Sequence, residues 1–182
     1  MSNYIRNYQT GATYFFTINL RDRASSLLTI YIDELRLAYQ NVQQKMPFTT
    51  DAIIILPDHI HAMWTLPQND YDYSTRIRLF KSHFSKQLPV QIKQTNNKSR
   101  QKRGETGVWQ RRYWEHTIRD ELDYQRHMDY IHYNAVKHGY VASPMLWQYS
   151  TFRREVNKGR YDLYWADAQS HGLAFGERSM IK

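Results

Sequence analysis

An α+β fold, with one antiparallel sheet and helices packed on one of its faces, is predicted by three observations on the 182-residue sequence. Some segments alternate apolar with polar residues, as strands do, and others repeat apolar residues every three or four positions, as helices do. The composition is that of a folded protein, with 41% hydrophobic and 15% aromatic residues. The sequence has no cysteine, so any metal must be held by His, carboxylate or amide groups.

The predicted elements follow one another as strand, helix, strand, strand, helix, strand and helix. The strands are residues 12–20, 52–56, 59–66 and 108–118, and the helices are residues 28–45, 74–88 and about 120–138. Ser74 is a candidate N-cap for the second helix, and Gly139 is placed to end the third. A ferredoxin-like sheet with its helices on one side accommodates this order of elements.

Basic residues are concentrated in one part of the chain. The whole sequence has a net charge of +8, but residues 76–112 alone carry +10 and the remainder carries −2. This concentration is typical of a protein that binds a polyanion, although a solvated basic loop would give the same pattern. Residues 89–107 are polar and lack periodicity, so we predict a flexible basic loop there. No segment resembles a membrane span or a signal peptide, and we expect a cytoplasmic protein.

Two histidines on the third predicted strand are candidate metal ligands. Side chains alternate along a strand, so His59 and His61 share one face, while Ile60, Ala62 and Trp64 share the other. We expect the apolar side to face the core and the imidazoles to stand on a polar face, where they could chelate one divalent ion. Truncation of either histidine should then leave the fold intact. An isolated His-x-His pair is, however, more often two surface histidines.

A tyrosine and an asparagine on the last predicted helix form a second candidate group. Tyr130 and Asn134 are one helical turn apart, so their side chains point the same way. The predicted buried stripe beside them consists of Leu122, Met128, Ile131 and Ala135. An amide oxygen could be a metal ligand, and a phenol could act as a nucleophile. The alternative is an ordinary half-buried tyrosine beside a solvated asparagine.

Taken together, the two groups resemble a known family. Residues 57–66, PDHIHAMWTL, are similar to the HUH motif (His, bulky hydrophobic, His), and residues 129–139, DYIHYNAVKHG, are similar to the tyrosine helix of single-tyrosine transposases. The segments GATYFFTINL, WQRRYWEHTIR and YSTFRREV resemble the REP-associated tyrosine transposases in particular. The resemblance extends from about residue 8 to residue 165. Ala135 stands where that family usually has proline.

The resemblance implies both an activity and the residues that perform it. His59 and His61 would be paired metal ligands, Asn134 would be the third ligand, and Tyr130 would be the nucleophile. With Mg²⁺ or Mn²⁺ bound, the protein would cleave and rejoin single-stranded DNA through a 5′-phosphotyrosine. Its target would be a REP-type palindrome folded as a hairpin.

The implied partner is single-stranded or hairpin DNA, bound by a monomer or homodimer that is associated with the nucleoid. Candidate DNA-binding residues are basic or aromatic: Lys98, Arg100, Lys102, Arg103, Trp109, Arg111, Arg112 and Lys137. The transposase domain would span residues 1–140, followed by an aromatic and basic C-terminal tail over residues 141–182. Two alternatives stay open: a rolling-circle replication initiator or relaxase, which shares this chemistry, and a catalytically silent protein that only holds hairpin DNA.

Neutralising Lys98, Arg100, Lys102 and Arg103 together should weaken binding to a hairpin and to an unrelated single strand by similar factors, because phosphate contacts carry no sequence information. The slope of log affinity against log salt should become shallower by about one unit or slightly less for each phosphate that is no longer neutralised. Titrations of both DNAs across a salt series check this. Loss of hairpin discrimination with an unchanged slope would make the segment a sequence reader instead, and unchanged affinity for both DNAs would favour a solvated loop.

Overall fold

A computed structural model describes residues 8–93 and 107–166 of the chain. The strands are β1 (Thr13–Asn19), β2 (Thr49–Ile55), β3 (His59–Thr65) and β4 (Trp114–Thr117). The helices are α1 (Leu27–Ile30), α2 (Ile32–Lys45), α3 (Tyr73–Gln87), α4 (Glu121–Lys137) and α5 (Phe152–Asn157), with a 3₁₀ turn at Pro144–Leu146. None of the described helices is both long and apolar enough to cross a lipid bilayer. Most of the predicted basic loop, residues 94–106, lies outside the described residues.

The four strands form one antiparallel sheet in the order β2-β3-β1-β4. The central pair, β1 and β3, is in register over its whole length, from Thr13 opposite Thr65 to Asn19 opposite His59. The predicted α+β class with one antiparallel sheet is therefore confirmed. β4 is shorter than the predicted strand, because within residues 108–113 only Trp109 forms a bridge, to Leu20.

Helices cover both faces of this sheet, which corrects the expectation that they lie on one face alone. Phe16 and Trp64 belong to a core cluster shared with α2 and α3, whereas Phe15, Met63 and Ile54 belong to a second cluster shared with α4. Since side chains alternate along each strand, these two clusters lie on opposite sides of the sheet. The second face is thus apolar as well, and it needs a cover of its own.

Aspartate N-caps set the starts of the two long helices that follow β3. Asp72 accepts a hydrogen bond from the Thr75 N–H at 2.9 Å, so α3 begins before Ser74, the predicted cap. Asp120 caps α4 in the same way, by accepting from the Asp123 N–H at 2.8 Å. The helix stops as predicted before Gly139, whose φ of 72° is the left-handed conformation that glycine adopts readily.

The part of the C-terminal segment that follows α4 packs on the body of the protein, although its sequence carries weak signals of order. The Ile55 N–H donates to the Tyr149 carbonyl at 2.8 Å, and the Thr151 N–H donates to the Ile53 carbonyl at 2.9 Å. Phe152 is fully buried in the cluster beneath α4. Residues 149–152 therefore extend the edge of the sheet beside β2 and help to close the core.

His132 on α4 is expected to make this packing sensitive to acid. Its buried ring contacts the rings of Phe152 and Tyr161, and its Nε2 lies 3.2 Å from Thr151 Oγ1. Burial lowers the pKa of His132 to about 4; Glu155 opposes this shift and Arg154 adds to it. Between pH 6.5 and 4 the unfolded chain therefore binds more protons at this position than the folded chain, and stability falls as the pH drops.

Replacing His132 with Phe should flatten that pH dependence by up to about 3 kcal/mol, the equivalent of a shift of about two and a half pKa units. Denaturant titrations of the wild type and of His132→Phe at pH 7.5, 6, 5 and 4.5 measure the free energy of unfolding. An identical loss of stability between pH 7.5 and 4.5 in both proteins would contradict this role for His132.

Candidate active site

His59 and His61 lie at the start of β3, and both are buried. They are 2% and 0% exposed, and their ring centroids are 4.9 Å apart with the planes at 83°. A nearly perpendicular pair can aim one nitrogen of each ring at a common point. The predicted shared face is confirmed, but it is not an open polar face, because α4 packs across it with Met128 and Ile131 in the same cluster as Phe15.

Each histidine is held through its Nδ1 atom by a polar neighbour. His59 Nδ1–H donates to Asp58 Oδ1 at 2.7 Å, and Arg23 Nε lies 2.6 Å from the other oxygen of that carboxylate. Burial alone would raise the pKa of Asp58, but the hydrogen bond from His59 and the charges of His59 and Arg23 lower it overall. His61 Nδ1 shares a 2.9 Å hydrogen bond with Thr17 Oγ1. Such partners fix the ring orientation and leave Nε2 available as a ligand.

Three buried polar atoms, one on β3 and two on α4, have no hydrogen-bond partner among residues 8–93 and 107–166. They are Nε2 of His61 and both amide atoms of Asn134, a residue that is 0% exposed. A buried polar atom without a partner costs about 1–3 kcal/mol, so such atoms indicate a site kept for a ligand. Burial, together with the nearby His59, His138 and Lys137, holds the pKa of His61 well below its usual value. The His61 imidazole is therefore neutral and offers a lone pair.

Tyr130 lies beside this group in the same chain. Its ring centroid is 5.0 Å from that of His61, and Phe15 packs against both rings. The residue is 8% exposed, and Lys137 Nζ lies 4.8 Å from the centre of its ring. The structure thus brings together the histidine pair and the tyrosine that were predicted separately, and it adds a cation beside the phenol.

The buried side of α4 differs from the prediction at one end. Met128, Ile131 and Ala135 are buried as expected, but Leu122 is 60% exposed. Asp123 takes the inward position in the first turn instead, because it completes the helix cap: its Oδ2 accepts from the Arg119 N–H at 3.1 Å.

A polar group that the sequence did not reveal joins β4 to α4. His116 Nε2 lies 2.7 Å from Asp123 Oδ2, and His127 Nδ1 lies 3.2 Å from Asp123 Oδ1. Within the described residues, these three form a group whose ligand atoms lie close enough together to be considered as a metal site. The two imidazoles are stacked, however, with centroids 4.8 Å apart and planes at 17°, so their lone pairs cannot converge on one ion.

Hydrogen bonding explains the His116–Asp123–His127 group better than a metal does. Although burial would raise the pKa of Asp123, its hydrogen bond with His116 and the neighbouring groups lower it, and burial lowers the pKa of His127. The carboxylate is therefore the charged acceptor that ties the strand to the first turn of the tyrosine helix. Its only sequence signal is the spacing of Asp123 three residues after the cap and four before His127.

The predicted DNA-binding residues are placed unequally. Arg111 and Arg112 are exposed, and so is Lys137. Trp109 packs against α3, and its indole N–H donates to the Lys81 carbonyl at 3.1 Å. Lys98, Arg100, Lys102 and Arg103 lie outside the described residues.

Part of the positive charge of residues 76–112 is internal. Arg76 is buried, and its Nη2 lies 2.6 Å from Asp70 Oδ2. Lys81 donates to the Gln110 carbonyl at 2.7 Å, and burial lowers the pKa of this lysine to about 8. The net charge of +10 counted over residues 76–112 is therefore larger than the positive charge that this stretch presents to a ligand at the surface.

Comparison with known proteins assigns the chain to a family. Residues 9–134 match the family described as IS200-like transposases. The chain is 43% identical over 166 residues to the REP-associated tyrosine transposase of Escherichia coli, covering 91% of this chain and 92% of that protein. A Haemophilus influenzae protein assigned to the same group is 52% identical over 165 residues, covering 91% and 93% of the two chains.

The fold agrees with these matches. A solved structure, described as a REP-associated tyrosine transposase bound to a REP hairpin, aligns with 99% of this chain and 99% of its own. The alignment has a TM-score of 0.79 and 41% identity. The fold and the site therefore define a DNA-processing enzyme of the HUH transposase class, and the chain belongs to the REP-associated tyrosine transposases within the IS200-like family.

Burial of the histidine pair changes the expected cost of truncating it. His61→Ala should lower the free energy of unfolding by about 1–3 kcal/mol, because the methyl group leaves a cavity between Phe15 and Tyr130. His138→Ala, which truncates an exposed histidine nearby, should change stability by less than about 0.5 kcal/mol. Urea titrations without added metal compare the two. Equal, small effects would show that α4 does not cover His61 in solution.

Proposed function

We propose that this protein is a metal-dependent single-strand DNA endonuclease and strand transferase that uses Tyr130 as its nucleophile. One observation carries the proposal: His61 Nε2 and the Asn134 amide are buried and lack partners among the described residues, while the Tyr130 ring lies 5.0 Å from that of His61 and one helical turn before Asn134. Buried polar atoms of this kind are better suited to binding a metal ion than to packing.

The donor set fits a divalent cation. His59 and His61 would hold the ion through Nε2, since their Nδ1 atoms are engaged, and Asn134 would add a neutral amide oxygen. Two imidazoles and one amide leave room for water and phosphate oxygens, which suits Mg²⁺ or Mn²⁺. When bound, such an ion would neutralise negative charge that develops on the scissile phosphate.

The tyrosine supplies the covalent step. Tyr130 Oη would attack phosphorus, so that a phosphotyrosine bond forms while the bond from phosphorus to the 3′-oxygen breaks. The phenol loses its proton and the departing 3′-oxygen gains one, which leaves a 5′-phosphotyrosine and a free 3′-hydroxyl. Lys137 Nζ lies 4.8 Å from the centre of the Tyr130 ring and would be a cation close to the attacking group. Because the phosphodiester energy is conserved, another 3′-hydroxyl can reverse the step and join strands.

All of these groups belong to one chain. The 5.0 Å separation of the Tyr130 and His61 rings supports cleavage by the tyrosine at the metal pair of its own chain. This arrangement does not require a partner subunit to complete the site, so a monomer could act alone.

The proposed substrate is a REP-type hairpin with an unpaired flank. The relative of known structure, 41% identical to this chain, is described as bound to a REP hairpin. The exposed Arg111 and Arg112 precede β4 and continue the basic stretch of the sequence. Such a substrate would place the protein at the nucleoid. Family membership disfavours the rolling-circle initiator, and a silent hairpin-binding protein is the alternative that experiment must separate.

Tyr130→Phe should abolish the covalent protein–DNA adduct while hairpin affinity changes less than about twofold, because only the hydroxyl is lost. Denaturing gels of a labelled hairpin oligonucleotide incubated with Mn²⁺ or Mg²⁺ detect the adduct. Tyr133→Phe, which alters a second tyrosine of the same helix, is the matched control and should form the adduct normally.

A metal series completes the test. His59→Ala should form no adduct at any Mg²⁺ or Mn²⁺ concentration, and Asn134→Ala should require more metal than the wild type, since water can partly replace a neutral ligand. Adduct formation by Tyr130→Phe, or by the wild type in excess chelator, would refute the proposal. Tight hairpin binding by a wild type that forms no adduct would favour the silent binding protein.

A further inference from the structure

A row of aromatic rings begins at the candidate metal pair and leads outward along the end of the sheet. The His138 ring lies 5.3 Å from that of His59, and the Tyr140 ring lies 6.0 Å from that of His138. Trp147 stacks on Tyr140 with centroids 5.4 Å apart and planes at 28°. The row therefore connects the candidate cleavage site with the segment that follows α4.

The outer end of this row, at Trp147, is attached to the sheet. The Trp147 indole N–H donates to the Ile55 carbonyl at 3.0 Å, at the end of β2. Tyr140 follows the left-handed Gly139, and its N–H donates to the Ala135 carbonyl at 3.0 Å, which fixes its backbone to the last turn of α4. Tyr140 is nevertheless 45% exposed. The Tyr140 ring is therefore held by Trp147 and by the end of α4, while almost half of the residue stays accessible to a ligand.

Cationic side chains lie near the inner end of this row of rings. Arg23 is about half-exposed beside Asp58, and Lys137 is exposed at the end of α4. Arg23 Nη2 lies 3.5 Å from His59 Nδ1, at the inner end of the row. Flat rings interleaved with cations are how proteins hold single strands, because bases stack on the rings while phosphates meet the cations.

We propose that Tyr140, backed by Trp147, is a stacking subsite for an unpaired nucleobase next to the scissile phosphate. The proposal rests on the proposed function, since its occupant is the strand whose phosphate meets Tyr130. A base within a duplex is covered on both faces by its neighbours, so the subsite can take only an unpaired base. It gives the enzyme a preference for single strands that does not depend on sequence.

The test uses an oligonucleotide with a REP-type hairpin and an unpaired flank, carrying 2-aminopurine at one flank position at a time. Binding by the wild type should quench the fluorescence at one position, and Tyr140→Phe and Tyr140→Trp should retain this quenching. Tyr140→Ala should abolish the quenching and bind the oligonucleotide roughly tenfold more weakly. Tyr71→Ala, which removes an exposed tyrosine at the opposite end of the β1–β3 pair, should bind like the wild type.

An abasic scan makes the assignment specific. Removing the base at the quenched position should weaken wild-type binding by a factor similar to that of Tyr140→Ala, and it should weaken Tyr140→Ala no further. Affinity for a fully paired duplex should be the same for both proteins. Equal sensitivity of both proteins to every abasic position, or a change in self-association instead of DNA affinity, would overturn the subsite.

Failure of this inference can be told apart from failure of the proposed function. Adduct formation is measured on the wild type alone. Absence of an adduct under all metal conditions would refute the nuclease. A normal adduct together with indistinguishable single-strand affinities of the wild type and Tyr140→Ala would refute the stacking subsite only.

Discussion

The packing of α4 across the face of β3 that carries His59 and His61 is the interaction on which the candidate site depends. It removes both imidazoles from water, it sets the Tyr130 ring 5.0 Å from His61, and it buries the Asn134 amide. Each of these effects follows from one helix lying on one strand. A histidine pair on an uncovered strand would be solvated, and it would have neither a neighbouring phenol nor a depressed pKa at His61.

Several contacts hold α4 in that position. At its start, Asp123 joins the helix cap to His116 on β4, so the first turn is tied to the edge of the sheet. Along its length, Met128, Ile131 and Ala135 fill the second core cluster. Near its end, His132 meets the segment that pairs with β2. The helix is thus held at its start by the Asp123 carboxylate and nearer its end by the packing of His132. Tyr130, the candidate nucleophile, lies between these two residues.

Local periodicity accounts for what could be predicted from the sequence. Alternation along a strand places His59 and His61 together, and helical spacing places Tyr130 beside Asn134, because both depend on neighbours a few residues away. Burial of the histidines could not be predicted in this way, since it depends on a helix more than sixty residues further along the chain. The packing of the C-terminal segment has the same cause. Leu122 is misplaced for a local reason instead, because Asp123 takes its inward position to satisfy the helix end.

Residues 149–151 have a consequence for how the protein behaves at high concentration. β2 is the outermost strand of the sheet on its side, and an outermost strand presents N–H and C=O groups that can template the addition of another chain. Here the Ile53 carbonyl and the Ile55 N–H already bond to Thr151 and Tyr149. The opposite edge, β4, is only four residues long. The last three residues of β2 are therefore closed to intermolecular strand addition, and β4 offers little length, which reduces the tendency of this strongly aromatic protein to aggregate through its strands.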